Sequence, residues 1–406
     1  MENMHISFQR LLPRVAPTLF ALPVCMASTA HAQSEYQVFR PQAGLSATYD
    51  SNVLGLGSAS EAMLTTNSGT LSDTSRTTFA GLDIDKKLSR QAFAANLIAN
   101  HTRFDRLSEL DYDGYKASAD WTWGIGNNLD GKAGYSRVFS LAPFTNFHRL
   151  ERNTYTVERQ FANASWKVLS EWRLRAGVAR YGVGYDLALQ QRFNRNERQG
   201  EVGIDYLTRR ANLVSLQWRR INGRFPNQSG DLASDFRQDQ LELKTNWLVS
   251  GKTTIDFVGG RVARVHPGLA ERDFHGYNGR LLAKMAVSDK TAISASAWRE
   301  TGIFDDASTS YSTNRGLNLT ARWAVTEKTV FEGAWNRERR DFTRPLRLAA
   351  LPDYRDILRT AQLTMTYSAT THLEMQLAFV ATNKATSNGF GEYGRRATAA
   401  LARYHF

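Results

Sequence analysis

Cations and carboxylates are the residues of this 406-residue chain that could do chemistry, because the usual catalytic groupings do not occur. Beyond the first thirty-two residues, His101, His148, His266, His275, His372 and His405 stand far apart. There is no H-E-x-x-H spacing to hold zinc and no G-x-S-x-G elbow to present a nucleophile. His275 in "ERDFHGYN", near Asp273, reads as an exposed loop histidine. The single cysteine, Cys25, falls in a leader-like segment, so the rest of the chain offers no thiol for a disulfide, a metal or a nucleophile. No catalytic residue, metal ligand or cofactor is expected, and the chain does not read as an enzyme.

What remains is a series of charges at alternating positions. Lys116, Lys132, Arg173, Arg175, Arg219, Lys244, Arg280, Lys284, Arg322, Arg395 and Arg403 share the polar parity of their segments with Asp83, Asp85, Asp120, Asp130, Glu201, Asp205, Glu242 and Glu374. Guanidinium forks bind carboxylates and phosphates with two prongs, and rings of Arg or Lys make a pore favour anions. The same charges can instead pair across neighbouring strands and serve packing.

Strands must position these groups, because the segments alternate with period two. In "LDYDGYKASADWTWGIG" Tyr115, Ala117, Ala119, Trp121 and Trp123 take one face, while Lys116, Ser118, Asp120 and Thr122 take the other. "RGLNLTARWAVT" behaves in the same way. Short turn signals recur about every forty residues: "KLSRQ", "GIGNN", "VLSEW", "TRRAN", "VSGKT", "VSDKT", "VTEKT" and "SATTH". Between them lie longer polar connections such as "LAPFTNFHR" and "HPGLAERD". Short turns alternating with long loops, and aromatics Trp123, Trp166, Tyr206, Trp247, Trp323 and Tyr367 beside the short turns, fit a tilted crossing of a bilayer with an interfacial girdle. The expected fold is all-β: a transmembrane antiparallel up-and-down barrel of about 18 strands, with short periplasmic turns and longer extracellular loops. The Gly-Gly of "IDFVGGRVARV" reads as a bulge, which leaves strand boundaries open near 252–302.

The two ends agree with export to an outer membrane. "RLLPRVAPTLFALPVCMASTAHAQ" has a basic start, an apolar stretch too short to span a bilayer and an A-x-A cleavage signal. Residues 1–32 are therefore expected to be a removed signal peptide and 33–406 the barrel. At the other end, "AALARYHF" alternates to its last residue, and Tyr404 with Phe406 resembles the signal read by barrel assembly machinery. A formal charge of +12 on an exported chain suits lipopolysaccharide, acidic polysaccharide or small anions rather than nucleic acid. About ten residues separate Gln33 from the first candidate strand, too few for a plug domain, so any filling of the lumen is expected to fall to loops such as Val53 to Ser75.

One stretch carries a family resemblance. "LSATYDSNVLGL", followed by "LSRQ.F", "RFDRLSELDYDGY" and "W.W.IGNNL.G", resembles the opening strands of EpsL-type outer-membrane proteins, which accompany exopolysaccharide operons and exosortase genes. Tyr49, Asp50 and Asn52 match the early motif and read as a strand-end turn in which Asn or Asp caps backbone amides. The resemblance implies a barrel of porin type that conducts or assists export of an extracellular polysaccharide, with other secretion proteins as partners. Two alternatives stand beside it: a general diffusion porin for small solutes, and a non-conducting scaffold of a polysaccharide assembly machine.

Overall fold

A computed structural model describes residues 38–145, 147–228, 235–302, 311–343, 353–389 and 391–406. The expected signal peptide and most of the loops "FDDASTS" and "TRPLRLAALPD" lie outside the described residues. Strands β1 (Phe39–Asp50), β2 (Asp73–Leu88), β3 (Gln91–Phe104), β4 (Tyr112–Ile125), β5 (Leu129–Leu141) and β6 (Thr154–Lys167) begin the sheet. It continues with β7 (Trp172–Tyr185), β8 (Arg195–Leu207), β9 (Leu213–Arg224), β10 (Phe236–Ser250), β11 (Thr253–Val265) and β12 (Phe274–Ser288). It ends with β13 (Thr291–Gly302), β14 (Tyr311–Ala324), β15 (Thr329–Thr343), β16 (Tyr354–Ser368), β17 (Leu373–Thr386) and β18 (Tyr393–His405).

Each strand pairs antiparallel with its neighbours in sequence, and β18 returns to β1, from Gln42 opposite His405 to Asp50 opposite Ala397. The sheet therefore has no open edge, and every strand's backbone groups find partners within the wall. The last residue is fastened as well: the Phe406 amide donates to the Pro41 carbonyl at 3.0 Å.

All eight tight turns join hairpins where the turn residues stand, and the backbone takes positive φ at Ser89, Gly126 and Ala211. The Gly-Gly of β11 is not a bulge. Gly259 and Gly260 keep unbroken register with Gly279 and Asn278, and the register slips occur instead at Leu248/Ser250 and Ala286/Ser288, beside turns. Gly260 is needed for close approach, since a Cβ there would run into the Leu241 carbonyl of β10.

The wall has two unlike faces. Outward, Leu45, Val178 and Val202 are 61%, 63% and 52% exposed, among many other large apolar side chains. An apolar belt of this extent, wrapped round a closed barrel, is stable only against lipid. Trp166, Tyr206, Trp247, Trp323 and Tyr367 are exposed on this face near the short turns, with Trp123 half-buried beside Trp121. Tyr404 and Phe406 join them, their rings edge to face at 5.0 Å. The protein is a multi-pass β-barrel of the outer membrane.

Candidate functional site: the pore wall and its mouth

Register places all eleven sequence-predicted cations on the inward face, opposite in parity to the apolar belt. Nine of them meet carboxylates. Lys132 lies 3.2 Å from Asp120, Arg175 2.8 Å from Asp205, Arg280 2.8 Å from Glu300, and Lys284 2.8 Å from Asp256. Arg322 approaches Glu332 at 3.3 Å and Arg403 approaches Glu374 at 3.5 Å, while Arg395 pairs with Asp50. Arg219 lies between Glu201 at 3.1 Å and Glu242 at 3.5 Å, and Lys244 lies 3.9 Å from Glu242. Among the described residues Lys116 and Arg173 make no ion pair. Lys116 faces Ile98 and Val138 in register, and Asp205, opposite Arg173, turns to Arg175 instead.

The densest part of the wall runs over β7 to β10. Arg175 donates to the Ser215 hydroxyl at 2.7 Å, the Gln217 amide donates to Glu201 at 2.8 Å, and the Lys244 ammonium donates to the Gln217 oxygen at 2.6 Å. Arg219 is completely buried here and also reaches Gln240 at 3.2 Å. Alternate residues on four adjacent strands thus form one fully inward network, as a period-two pattern with in-register pairing must.

Inward aromatics sit beside several of the cations. Arg280 lies over the Trp298 ring at 5.0 Å, Arg403 over Phe79 at 5.8 Å, and Lys132 over Phe161 at 6.0 Å. Gly316, directly across from Trp298, leaves the space that this indole fills.

Sequence reasoning missed other inward charges. Arg264, 3% exposed, donates to Gln238 at 2.7 Å, Arg340 lies 2.6 Å from Glu338, and Lys384 lies 3.5 Å from Asp356. Their parity was readable, since each shares its face with a charge such as Asp256, Glu332 or Glu374 on the same strand. Nearness to loop ends of undefined length hid them.

The mouth at the long-loop end is narrowed by two loops. The β1–β2 loop carries helix α1 (Ala59–Thr66), capped by Ser58, whose hydroxyl accepts from the Glu61 amide at 3.2 Å. Its Val53, Leu54, Leu56 and Ala62 form a buried cluster with Leu107 and Leu110 of the β3–β4 loop, backed by Phe144 and Leu150 of the β5–β6 loop. Asn52 holds the base of this fold. Its side-chain oxygen accepts from the Leu56 amide at 2.9 Å, and its amide group donates to Leu56 and Gly394 carbonyls at 2.8 and 3.0 Å. Asp50 and Asn52 are accordingly a turn device, with Asp50 accepting from the Asn52 backbone N–H at 2.9 Å, while Tyr49 lies exposed on the outer face of β1.

The β5–β6 loop reaches further. Lys384 of β17 donates to the Thr145 carbonyl at 3.3 Å, and His148 stacks edge-on with Tyr393 of β18 at 6.1 Å. Six strand spacings of about 4.8 Å separate these partners along the wall. The loop must leave its own rim and cross the opening to make such contacts. His148 Nδ1 lies 2.8 Å from the Leu54 carbonyl, so that nitrogen carries the proton, and the crossing loop is pinned to the α1 loop as well.

His275 is exposed, and Asp273 serves another histidine: it accepts from the His266 amide at 2.7 Å and lies 3.7 Å from the His266 ring. Burial, reinforced by Arg264, pushes the His266 imidazole down to about 4 from its ordinary 6.5. Burial likewise lowers His148, with Lys384 adding to the effect and the Leu54 carbonyl opposing it. For a base whose folded value is depressed, stability is complete above the unfolded value and is lost as pH falls toward the folded one. The β11–β12 loop is therefore expected to loosen as pH drops from 6.5 toward 4, with a cost of roughly 3 kcal/mol at most. Hydrogen exchange over residues 266–273, compared at about pH 7.5 and about pH 4.5 after correction for intrinsic rates, reads it. Protection that does not change with pH, or that changes equally in a His266→Gln variant, would contradict it.

A closed 18-stranded antiparallel barrel with an apolar belt outside and a charged wall inside defines an outer-membrane β-barrel with a porin-like fold. The particular likeness is to OccK2 (OpdF) of Pseudomonas aeruginosa, at 12% identity, with 91% of this chain and 98% of that one covered and a TM-score of 0.50. The same protein in complex with glucuronate aligns at 11% identity over 91% and 96% of the two chains, again with a TM-score of 0.50. At such identity the likeness is one of fold. No protein-family model matches the chain, and no curated protein matches its sequence.

Proposed function

We propose that this protein is a passive pore for small polar and anionic solutes, in preference to a conduit for extracellular polysaccharide. The β5–β6 loop tied across the mouth to β17 and β18 carries this reading, because a loop that narrows the opening suits solutes far better than a polymer chain. The charged wall supports it. Small anions would exchange between guanidinium groups already held in place by carboxylates, each contact weak enough to release. The glucuronate-bound fold relative is consistent with a sugar acid as the solute class. Polysaccharide export rests on the resemblance of "LSATYDSNVLGL" and the segments after it; Asp50 and Asn52 of that stretch serve the turn.

Planar bilayers test the proposal. The purified full-length barrel is expected to give discrete conductance steps, with preference for anions and concentration-dependent block by glucuronate. A conductance indifferent to glucuronate but blocked by purified acidic polysaccharide would overturn it in favour of export. Absence of conductance with retained polysaccharide binding would overturn it in favour of a scaffold.

A further inference from the structure

The lipid-facing side of the barrel changes character abruptly at its long-loop end. On β13 to β16 the outward positions there include Arg299, Arg315, Arg337, Arg339, Arg355 and Arg359, with Thr313, Asp341 and Ile357 among them. Register sets Arg299 directly opposite Arg315, Arg315 directly opposite Arg339, and Arg337 directly opposite Arg359. Like charges facing each other across strands destabilise a sheet unless an anion lies between them. Within these rows Asp341 is the carboxylate, shared by Arg339 at 2.9 Å and Arg355 at 2.8 Å, and Asp353 lies beyond them at the rim. Among the described residues of this patch, six guanidinium groups face two carboxylates, which leaves four positive charges in excess.

Depth fixes what meets this surface. Leu317 stands level with Arg337, and below them the same face holds Leu319 and Trp335, and then Trp323 and Phe331 near the short turn. Arg315 and Trp323 are eight residues apart, about 27 Å along a strand and about 20 Å once a tilt of about 40° is allowed. Arg315 and Arg339 therefore stand toward the interface opposite the aromatic girdle, near the headgroups of the outer leaflet, and Arg337, two residues deeper, reaches that level by the length of its side chain. All six are arginine and none is lysine, and the planar fork is the side chain that grips phosphate with two prongs.

We propose that the outer face of β13–β16 is a binding site for the phosphate groups of the outer leaflet's phosphorylated glycolipid, held between cross-strand arginine pairs. The bound phosphates offset the repulsion within the rows and fix the depth of the barrel in the membrane.

The test uses the folded full-length protein in detergent, titrated with lipid A carrying both phosphates, with the same lipid A stripped of both, and with phosphatidylglycerol. The bisphosphorylated lipid is expected to bind at least about ten-fold tighter than the other two, because each guanidinium near an anionic leaflet contributes roughly a factor of five. Arg315→Gln with Arg337→Gln and Arg359→Gln should abolish that preference. Lys252→Gln with Lys290→Gln and Lys328→Gln, an equal charge change at the short turns, should leave it within about two-fold. Equal binding of the phosphate-free lipid, equal binding of phosphatidylglycerol, or an undiminished preference in the arginine variant would each overturn the proposal. The comparison of the three lipids decides on the wild-type protein alone should the arginine variant fail to fold.

Discussion

Replacing residues 143–149 by a short Gly-Ser linker is expected to raise single-channel conductance severalfold. The segment holds Thr145 and His148, whose contacts with Lys384, Tyr393 and Leu54 carry the β5–β6 loop across the opening. A flexible linker of equal length has none of those partners and has no reason to stay over the lumen. The milder pair His148→Ala with Lys384→Met should give the same change in part, as flickering between two conductance levels, because Phe144 and Leu150 still pack against the α1 loop. Retained heat-modifiable migration on a gel would show that the barrel still closes in both variants. Unchanged conductance in a folded linker variant would mean that the loop does not limit the pore, and the small-solute reading would lose its main support.

The second large effect is expected at Arg219. Its side chain is fully buried and lies between Glu201 and Glu242. Arg219→Met removes the cation and leaves two carboxylates in a wall from which water is largely excluded, with Lys244 the nearest compensation at 3.9 Å from Glu242. Breaking a buried pair in this way costs roughly 3–5 kcal/mol, most of it the penalty on the charges left behind. Urea unfolding of the barrel in lipid vesicles would measure the loss. The triple variant Arg219→Met with Glu201→Gln and Glu242→Gln should recover most of it, because amides tolerate burial where unpaired carboxylates do not. A loss below about 1 kcal/mol, the range of exposed pairs, would show that this part of the wall is wet.

Much of the architecture was legible in the residues. Turn chemistry such as "VSDKT" and "GIGNN" acts over four or five residues, so all eight hairpins fell where the turns stand. Parity was equally local: once Trp323 is assigned to lipid, Arg322 must face inward. Closure by "AALARYHF" followed from an even strand count and an apolar terminal face. The failures concern distance. Gly259-Gly260 looked like a bulge because a glycine pair gives no sign of which neighbour approaches it; the Leu241 carbonyl on β10 does. His275 is exposed as expected but stands on β12 rather than in the loop, and the loop's Asp273 turns to His266, seven residues back. The strand-end turn expected of Asp50 and Asn52 is local and stands as read, while "LAPFTNFHR", whose loop makes the long-range contacts at the mouth, looked like any other connection.

The sequence by itself determined the strand number, the two faces of each strand and the ends that face water, since each depends on residues within about fifteen positions of one another. Only the tertiary structure decided which charges meet, because register between strands sets Arg219 against Glu201 and Arg315 against Arg339. It alone showed that the β5–β6 loop is fastened to β17 and β18. That contact joins residues more than two hundred positions apart, and it exists only once the sheet has closed on itself and brought both rims round one opening.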